Sequence, residues 1–218
     1  MKVLKQIAFA LILGAAGSLQ FAAAAPVPDK DYKALSQVQP TEAPGKVEVL
    51  EFFQYGCGHC YDLEPTLKSW VRKKPKDVEF RYVPTVWDES RVPLAKTYYA
   101  LEALGLVEQF HDKVYDAIHQ KQVRLNDRDA MLKWIAQQPG IDARKFEEAY
   151  DSFGVNNKVQ RAAQMTKAFR ISGTPTIAVN GKYLTGPSFA VDEAKGGVDY
   201  AKLTQTLDDL IGMERKKK

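Results

Sequence analysis

The chain has 218 residues, of which 45% are hydrophobic, and this composition is typical of a globular protein rather than a disordered one. Its 31 basic and 27 acidic side chains give a formal net charge of only +4, which argues against a nucleic-acid-binding protein. The chain contains two cysteines, too few for the multiple disulfides that often stabilise small exported proteins.

The first residues have the pattern of a secretory signal peptide. Lys2 and Lys5 precede a short apolar stretch at 7–16, and a run of alanines follows it. The apolar stretch is shorter than the roughly 20 residues that span a bilayer. We therefore expect residues 1–24 to be removed after Ala24, leaving a soluble exported protein.

Two strands and a helix are predicted next along the chain. The apolar, β-prone run VEVLEFFQY at 47–55 predicts a buried central strand. After Gly56, apolar residues recur every three or four positions, which predicts an amphipathic helix with Pro65 inside it. VEFRYV at 78–83 predicts the second strand.

The segment after the second strand has a helical pattern throughout. Helices are predicted over 92–104 and 110–119, and Asn126 and Asp142 are expected to be the N-caps of two more. A fifth helix is predicted at 155–169. This part of the sequence therefore predicts an all-helical insertion.

The last part of the chain returns to strand and helix. Asn180-Gly181, between two β-prone runs, predicts a hairpin within 171–184. The apolar spacing from Tyr200 to Leu210 predicts a final amphipathic helix. The order of elements predicts an α/β sheet that a helical block interrupts.

The two cysteines form a Cys-x-x-Cys motif where the first strand turns into the helix. A disulfide between Cys57 and Cys60 would close a very small loop and would stabilise the fold little, which favours a chemical role. The helix N-terminus and the nearby His59 are expected to stabilise a Cys57 thiolate, while Cys60 is expected to be buried and to attack second. Stabilising the thiolate favours the reduced state, so the disulfide form is expected to be an oxidant.

Several motifs resemble the thioredoxin superfamily, and the signal peptide and helical block make the chain similar to the DsbA family of periplasmic thiol oxidases. The similarity extends over about residues 30–212. The motifs are Glu51-Phe52-Phe53 leading into Cys57-Gly58-His59-Cys60, Pro65 five residues later, and Gly173-Thr174-Pro175 before the hairpin.

This resemblance implies a thioredoxin-like fold with an inserted all-helical domain. Residues 25–86 and 154–218 would form the thioredoxin-like domain, and residues 87–153 the insertion. Gly58 departs from the proline that DsbA proteins usually have between the first cysteine and the histidine. This difference concerns the oxidising strength rather than the type of reaction.

The resemblance also implies where substrates and partners bind. Pro175 would be cis and would face the disulfide, and the Thr174 backbone would pair with an extended substrate chain. Unfolded exported proteins would be the substrates, and a DsbB-like membrane quinone oxidoreductase would restore the disulfide at a hydrophobic groove. We expect a monomer in the periplasm of a Gram-negative bacterium, without an organic cofactor.

Glu51 is an unusual residue for a buried strand. A carboxylate among apolar neighbours is expected to be paired or to have a raised pKa. Arg81, on the neighbouring strand, is its expected partner, and the resemblance implies that Glu51 moves protons to or from Cys60. A solvated acid at a sheet edge remains the alternative.

Other functions remain open at this point. The same fold could serve a disulfide isomerase or reductase, or the chain could be a peptide-binding chaperone or metal carrier in which the cysteines are incidental. A zinc site would need His111, His119 or carboxylates to complete four ligands, and these histidines fit core or surface positions better.

Overall fold

The structure is a computed structural model that describes residues 25–194 and 196–216. The signal peptide predicted at 1–24 lies outside the described residues. None of the described helices combines the length and apolar character needed to cross a membrane.

A five-stranded mixed sheet organises the fold, with its strands in the order β1-β5-β4-β2-β3. The strand predicted within 47–55 is buried along its whole length, as its apolar sequence predicts. The strands are β1 (Lys33–Ala34), β2 (Val47–Phe53), β3 (Val78–Pro84), β4 (Thr176–Val179) and β5 (Tyr183–Thr185).

The first half of the sheet is a parallel strand pair joined by a helix. Strand β2 leads into helix α1 (Gly58–Lys73), and the chain returns as β3 beside β2. Pro65 lies inside α1, as expected. This connection places the start of α1, and with it Cys57, directly beyond the end of the buried strand.

The second half of the sheet is antiparallel and includes the predicted hairpin. Strand β4 pairs with β2 on the side opposite β3, and β5 pairs with β4. Asn180 and Gly181 connect them with positive φ angles of 51° and 65°, a backbone conformation that these two residue types adopt readily.

The predicted helical insertion lies between β3 and β4. A short 3-10 helix at Glu89–Arg91 opens it. The limits of 87 and 153 proposed for the inserted domain remain a prediction. The helices are α2 (Val92–Ala103), α3 (Val107–His119), α4 (Arg128–Ile135), α5 (Ala143–Asp151) and α6 (Phe153–Ala168).

One of the two predicted caps in the insertion is correct. The Asp142 carboxylate accepts hydrogen bonds from the first N–H groups of α5, as expected. The prediction of Asn126 is wrong by one residue, because Asp127 caps α4 and accepts from the N–H of Ala130 at 2.9 Å. Both residue types cap well, so only the backbone geometry distinguishes them.

The chain ends in the predicted amphipathic helix, α7 (Tyr200–Arg215), after a small two-stranded sheet. Strands β6 (Val191–Asp192) and β7 (Gly197–Val198) form this sheet. These strands, like β1, are two residues long and leave no periodic signal in the sequence.

Two groups of buried apolar side chains pack the helices against the sheet. On one face of the sheet, Val49 packs with Leu67 of α1 and Leu207 of α7. A larger group joins the other face to the insertion and includes Phe52 and Phe110. Burying one such side chain contributes about 1.5–3 kcal/mol, so the insertion is packed firmly against the end of β2 that carries the cysteines.

Candidate active site

Cys57 is the N-cap residue of α1. Its backbone is extended, and its sulfur accepts a hydrogen bond from the N–H of Cys60 at 3.4 Å. Gly58 is the first helical residue, so the motif lies at the strand-to-helix junction as predicted. The free N–H groups and positive dipole of a helix N-terminus surround this sulfur and favour its anion.

The pKa of the Cys57 thiol is lowered to about 5. The largest cause is a hydrogen bond from the Cys60 side chain, and partial burial of the sulfur opposes it. Hydrogen bonds from Thr174 and from the backbone N–H groups of Cys60 and His59 lower the pKa further. Because the thiolate is the nucleophilic form, Cys57 is in its reactive state at neutral pH.

His59 stabilises the Cys57 thiolate through its backbone and not through its imidazole, contrary to the expectation. Its side chain is 77% exposed, and Nδ1 lies 4.0 Å from Oδ2 of Asp62. The hydrogen bond by which His59 favours the Cys57 thiolate comes from its backbone N–H. The side chain instead faces the cleft beside the active site.

Cys60 is fully buried, as its position one turn into α1 predicts. Burial raises the pKa of its thiol far above the ordinary value, and the hydrogen bond to Cys57 adds to this effect. The two cysteines therefore differ in the way that sequential attack requires, since one is an accessible anion and the other is a protected thiol.

The loop before β4 closes over the first cysteine. The Thr174-Pro175 peptide bond is cis, and the Thr174 carbonyl oxygen lies 3.2 Å from the Cys57 sulfur, which donates to it when protonated. A cleft of about 670 Å³ opens beside this loop. Its lining includes His59, Thr174, Pro175, Leu184 and Phe189.

Glu51 is fully buried, which excludes the solvated alternative. Neither carboxylate oxygen has a hydrogen-bond partner within the described residues. Burial raises the pKa of Glu51 well above its ordinary value, and Glu64 and Cys57 raise it further. Glu51 therefore tends to hold a proton close to the two thiols.

The expected pairing of Arg81 with Glu51 is wrong. Arg81 lies opposite Leu50 in the β2–β3 register, whereas Glu51 lies opposite Tyr82, so the two side chains point to opposite faces of the sheet. The guanidinium of Arg81 instead binds Glu42 at 2.6 Å and Glu48 at 2.8 Å.

Sequence reasoning missed a buried polar group beneath the cysteines. Oε1 of Glu64 accepts from the Tyr82 hydroxyl at 2.9 Å and lies 3.7 Å from Nε2 of His111. Nδ1 of His111 is 2.8 Å from the Tyr55 hydroxyl. Glu64 follows Cys60 by four residues, a spacing that puts both on one face of α1 and could have revealed it.

The fold and the unequal acidity of the two thiols together define the class of this protein as a thiol:disulfide oxidoreductase. Its sheet, helix α1 and cis-proline loop are those of a thioredoxin-like fold, and the helical insertion distinguishes it from the minimal version of that fold.

Comparison with known proteins identifies the family. Residues 87–195 match the family model described as the DSBA-like thioredoxin domain. The thiol:disulfide interchange protein DsbA of Burkholderia cepacia is 42% identical over 176 residues, which cover 80% of this chain and 82% of the relative. The DsbA protein of Pseudomonas aeruginosa is 36% identical over 186 residues, covering 85% of this chain and 84% of the relative.

Solved structures agree with these relatives. The crystal structure of Pseudomonas aeruginosa DsbA superposes with a TM-score of 0.79 at 34% identity, covering 86% of this chain and 94% of that one. The oxidoreductase DsbA from Xylella fastidiosa gives a TM-score of 0.77 at 29% identity, covering 88% and 100%. The chain belongs to the DSBA-like thioredoxin domain family, and the predicted fold class is confirmed.

Proposed function

We propose that this protein introduces disulfide bonds into unfolded exported proteins by exchange through Cys57 and Cys60. The observation that carries the proposal is the lowered pKa of Cys57, about 5 against an ordinary value of 9.0. Such a shift corresponds to about 5 kcal/mol when both thiols are ionised, and to about 2 kcal/mol at pH 7, where an ordinary thiol is protonated and solvent screens this half-exposed sulfur. Because that stabilisation belongs to the reduced form, it makes the disulfide form a stronger oxidant, by about 40 mV.

The reaction is a pair of exchanges at Cys57. A substrate thiolate attacks its sulfur, the Cys57–Cys60 bond breaks, and the electron pair goes to Cys60, which takes a proton. A second substrate thiolate then attacks the substrate sulfur of the mixed disulfide. Cys57 leaves as the stabilised thiolate, so the substrate is oxidised by two electrons and the enzyme is reduced by two.

Glu51 is proposed to supply the proton that Cys60 needs. It is buried, its own pKa is raised, and its charge raises the pKa of Cys60. A thiolate at Cys60 would be costly in this buried position, and a neighbouring carboxyl group avoids that cost by transferring its proton as the sulfur leaves. When the disulfide is restored, the same carboxylate takes the proton back.

The loop before β4 is proposed to bind substrate backbone. The cis bond before Pro175 places the Thr174 carbonyl against Cys57, at one end of the cleft. An extended chain that pairs with this loop would bring its cysteine to the exposed sulfur with little demand on neighbouring side chains. This mode of binding suits many different unfolded substrates.

The partner and the compartment are proposed from the family. A DsbB-like membrane quinone oxidoreductase would restore the disulfide, docking at the cleft beside Pro175. The protein would act as a monomer in the periplasm of a Gram-negative bacterium, without an organic cofactor. The predicted signal peptide and the DsbA names of the relatives support this location.

Equilibration with glutathione buffers tests the direction of the reaction. The potential is expected to be clearly more oxidising than that of thioredoxin measured in the same buffers, and a value near that of thioredoxin would point to a reductase instead.

A second experiment separates redox chemistry from simple peptide binding. The wild-type protein and Cys57→Ser are each mixed with a reduced, unfolded substrate that refolds only when its disulfides form. Cys57→Ser is expected to form no disulfides, and full recovery of the substrate with this variant would favour a chaperone.

A further inference from the structure

Five buried polar atoms without hydrogen-bond partners lie together beneath Cys60. They are both carboxylate oxygens of Glu51, Oε2 of Glu64, Nε2 of His111 and the hydroxyl of Tyr115. Burying a polar atom without a partner costs roughly 1–3 kcal/mol, and such atoms concentrate at functional sites.

His111 occupies the centre of this group. It is 1% exposed, and the ring of Tyr82 lies with its centroid 4.5 Å away. With Nδ1 on the Tyr55 hydroxyl, its other nitrogen faces Glu64. Within the described residues, His111 is the only basic side chain within 4.0 Å of a carboxylate oxygen of Glu51 or Glu64.

The two carboxyl groups cannot easily ionise together. Tyr82 faces the same side of the sheet as Glu51, and its hydroxyl binds Glu64, which places both acids on one side of β2. Charge on Glu64 raises the pKa of Glu51. A proton on His111 would neutralise that charge, and an opposite charge within about 4–6 Å shifts such an equilibrium by roughly one to three pH units.

Glu64 is the acid of this group that borders a surface cleft. It lines a cleft of about 570 Å³ between α1 and α3, together with Tyr61, Lys68, Asp112 and Tyr115. Glu51 lines no part of this cleft. Of the two acids, Glu64 is therefore the one nearer to solvent, although it is only 4% exposed.

We propose that His111 is a positioning residue for the redox reaction, which acts through Glu64 on the proton exchange between Glu51 and Cys60. This inference rests on the proposed oxidase function and extends it to a residue of the inserted helices. When the disulfide re-forms from a mixed disulfide, the Cys60 thiol gives its proton to the Glu51 carboxylate and its electron pair to the new bond with the Cys57 sulfur. The bond between Cys57 and the partner sulfur breaks, and the partner leaves as a thiolate. A positive charge on His111 lets Glu51 be a carboxylate at a lower pH than it otherwise could.

The titratable groups that face this imidazole come from every element around it. Glu51 comes from β2 and Tyr55 from the turn that follows it, α1 contributes Glu64, and β3 contributes Tyr82. Helix α2 contributes Tyr98 and α3 itself contributes Asp112 and Tyr115. The charged groups among them are acids, and the nearby cations Lys68 and Arg72 line the cleft beside Glu64, with Lys68 paired to Asp112 at 2.8 Å. A proton on His111 would add a positive charge on the buried side of Glu64.

The test follows the step in which Cys60 displaces a partner from Cys57. Reduced protein is mixed rapidly with oxidised glutathione and quenched in acid, which separates formation of the mixed disulfide from its resolution. His111→Phe keeps an aromatic ring in the cage, and His111→Gln keeps an N–H group without charge. His119→Gln is the matched control, because His119 lies on the same helix and binds the Tyr55 carbonyl oxygen at 2.8 Å.

Both His111 variants are expected to move the pH midpoint of the resolving step upward by about one unit, which is about tenfold slower resolution below the midpoint. Formation of the mixed disulfide at Cys57 is expected to keep its wild-type rate, as is every step of His119→Gln. A purely structural role would lower the melting temperature without moving the midpoint. Unmoved midpoints, or wild-type behaviour of His111→Gln, would overturn the proposal.

A measurement on the unaltered protein guards against variants that fail to fold. The imidazole resonances of His111 are followed by NMR across a pH series in the oxidised and reduced forms, and the two series are expected to differ, because the charge beside the imidazole changes with the redox state. Identical titrations would contradict the inference. A wild-type protein that formed no mixed disulfide would instead refute the proposed function itself.

Discussion

Replacing Cys60 with alanine tests how the protein stabilises its reactive thiolate. The largest cause of the lowered Cys57 pKa is the hydrogen bond from the Cys60 thiol, which alanine cannot make. A hydrogen bond to a charged group contributes about 1.5–3 kcal/mol, equivalent to roughly one to two pKa units. The Cys57 pKa should therefore rise from about 5 to about 6–7 in Cys60→Ala.

The assay is direct because this variant contains a single thiol. Ultraviolet absorbance of the thiolate, read across a pH series, gives the Cys57 midpoint, and the pH dependence of alkylation by iodoacetamide gives an independent value. Cys60→Ser is the control, since a serine hydroxyl can still donate to the sulfur and should hold the pKa close to that of the wild type.

The Cys57 pKa must be higher in Cys60→Ala than in Cys60→Ser if the hydrogen bond from position 60 stabilises the thiolate. If Cys60→Ala titrates together with Cys60→Ser near pH 5, the hydrogen bond between the two side chains is not what stabilises the anion. The Thr174 side chain and the backbone N–H groups at the start of α1 would then account for the shift.

Three further predictions concern stability. Folding lowers the Cys57 pKa to about 5, so the reduced protein should gain stability relative to the oxidised protein as pH rises from about 5 to 8, and lose that gain as pH falls through 5. Urea unfolding at pH 7 should show a gain of about 2 kcal/mol. Glu51→Gln should stabilise the protein at pH 7 by about 1–3 kcal/mol and so raise its thermal midpoint. The raised pKa of Glu51 makes the buried acid increasingly unfavourable above about pH 4.3, where the carboxyl group ionises in the unfolded chain. A lower midpoint in the variant would contradict this. Gly58→Pro should stabilise the protein by about 0.4–1 kcal/mol and leave the Cys57 titration unchanged. Position 58 is the first residue of the helix, and a side chain there meets no atom within 4 Å. Loss of stability would show that the backbone there cannot accept proline.

The sequence predicted the elements and the reacting atoms well because both depend on short-range patterns. Cys57 and Cys60 are three residues apart, and the strand-to-helix change that gives them unequal acidity is visible in the apolar spacing around them. The cis bond before Pro175 could be expected only through family resemblance, because it lies far along the chain from the motif that it faces.

The electrostatic surroundings could not be predicted in the same way. Whether Arg81 meets Glu51 depends on the pairing register of β2 and β3, and a shift of one residue would reverse the face that each side chain occupies. His111 belongs to an inserted helix, and no local pattern shows that this helix turns one histidine toward Glu64 and the other toward the Tyr55 carbonyl. Long-range packing decides both contacts.

The strand order has a consequence for the time at which the enzyme becomes reactive. Strand β4 lies next to β2 in the sheet, but the ribosome makes it only after the entire helical insertion. A nascent chain that has just exposed its two cysteines lacks both the sheet neighbour of β2 and the Thr174 side chain that helps to lower the Cys57 pKa. Since long-range pairings are slow to form, the full acidity of Cys57, and with it the capacity to attack other proteins, develops only after the insertion and β4 have been made.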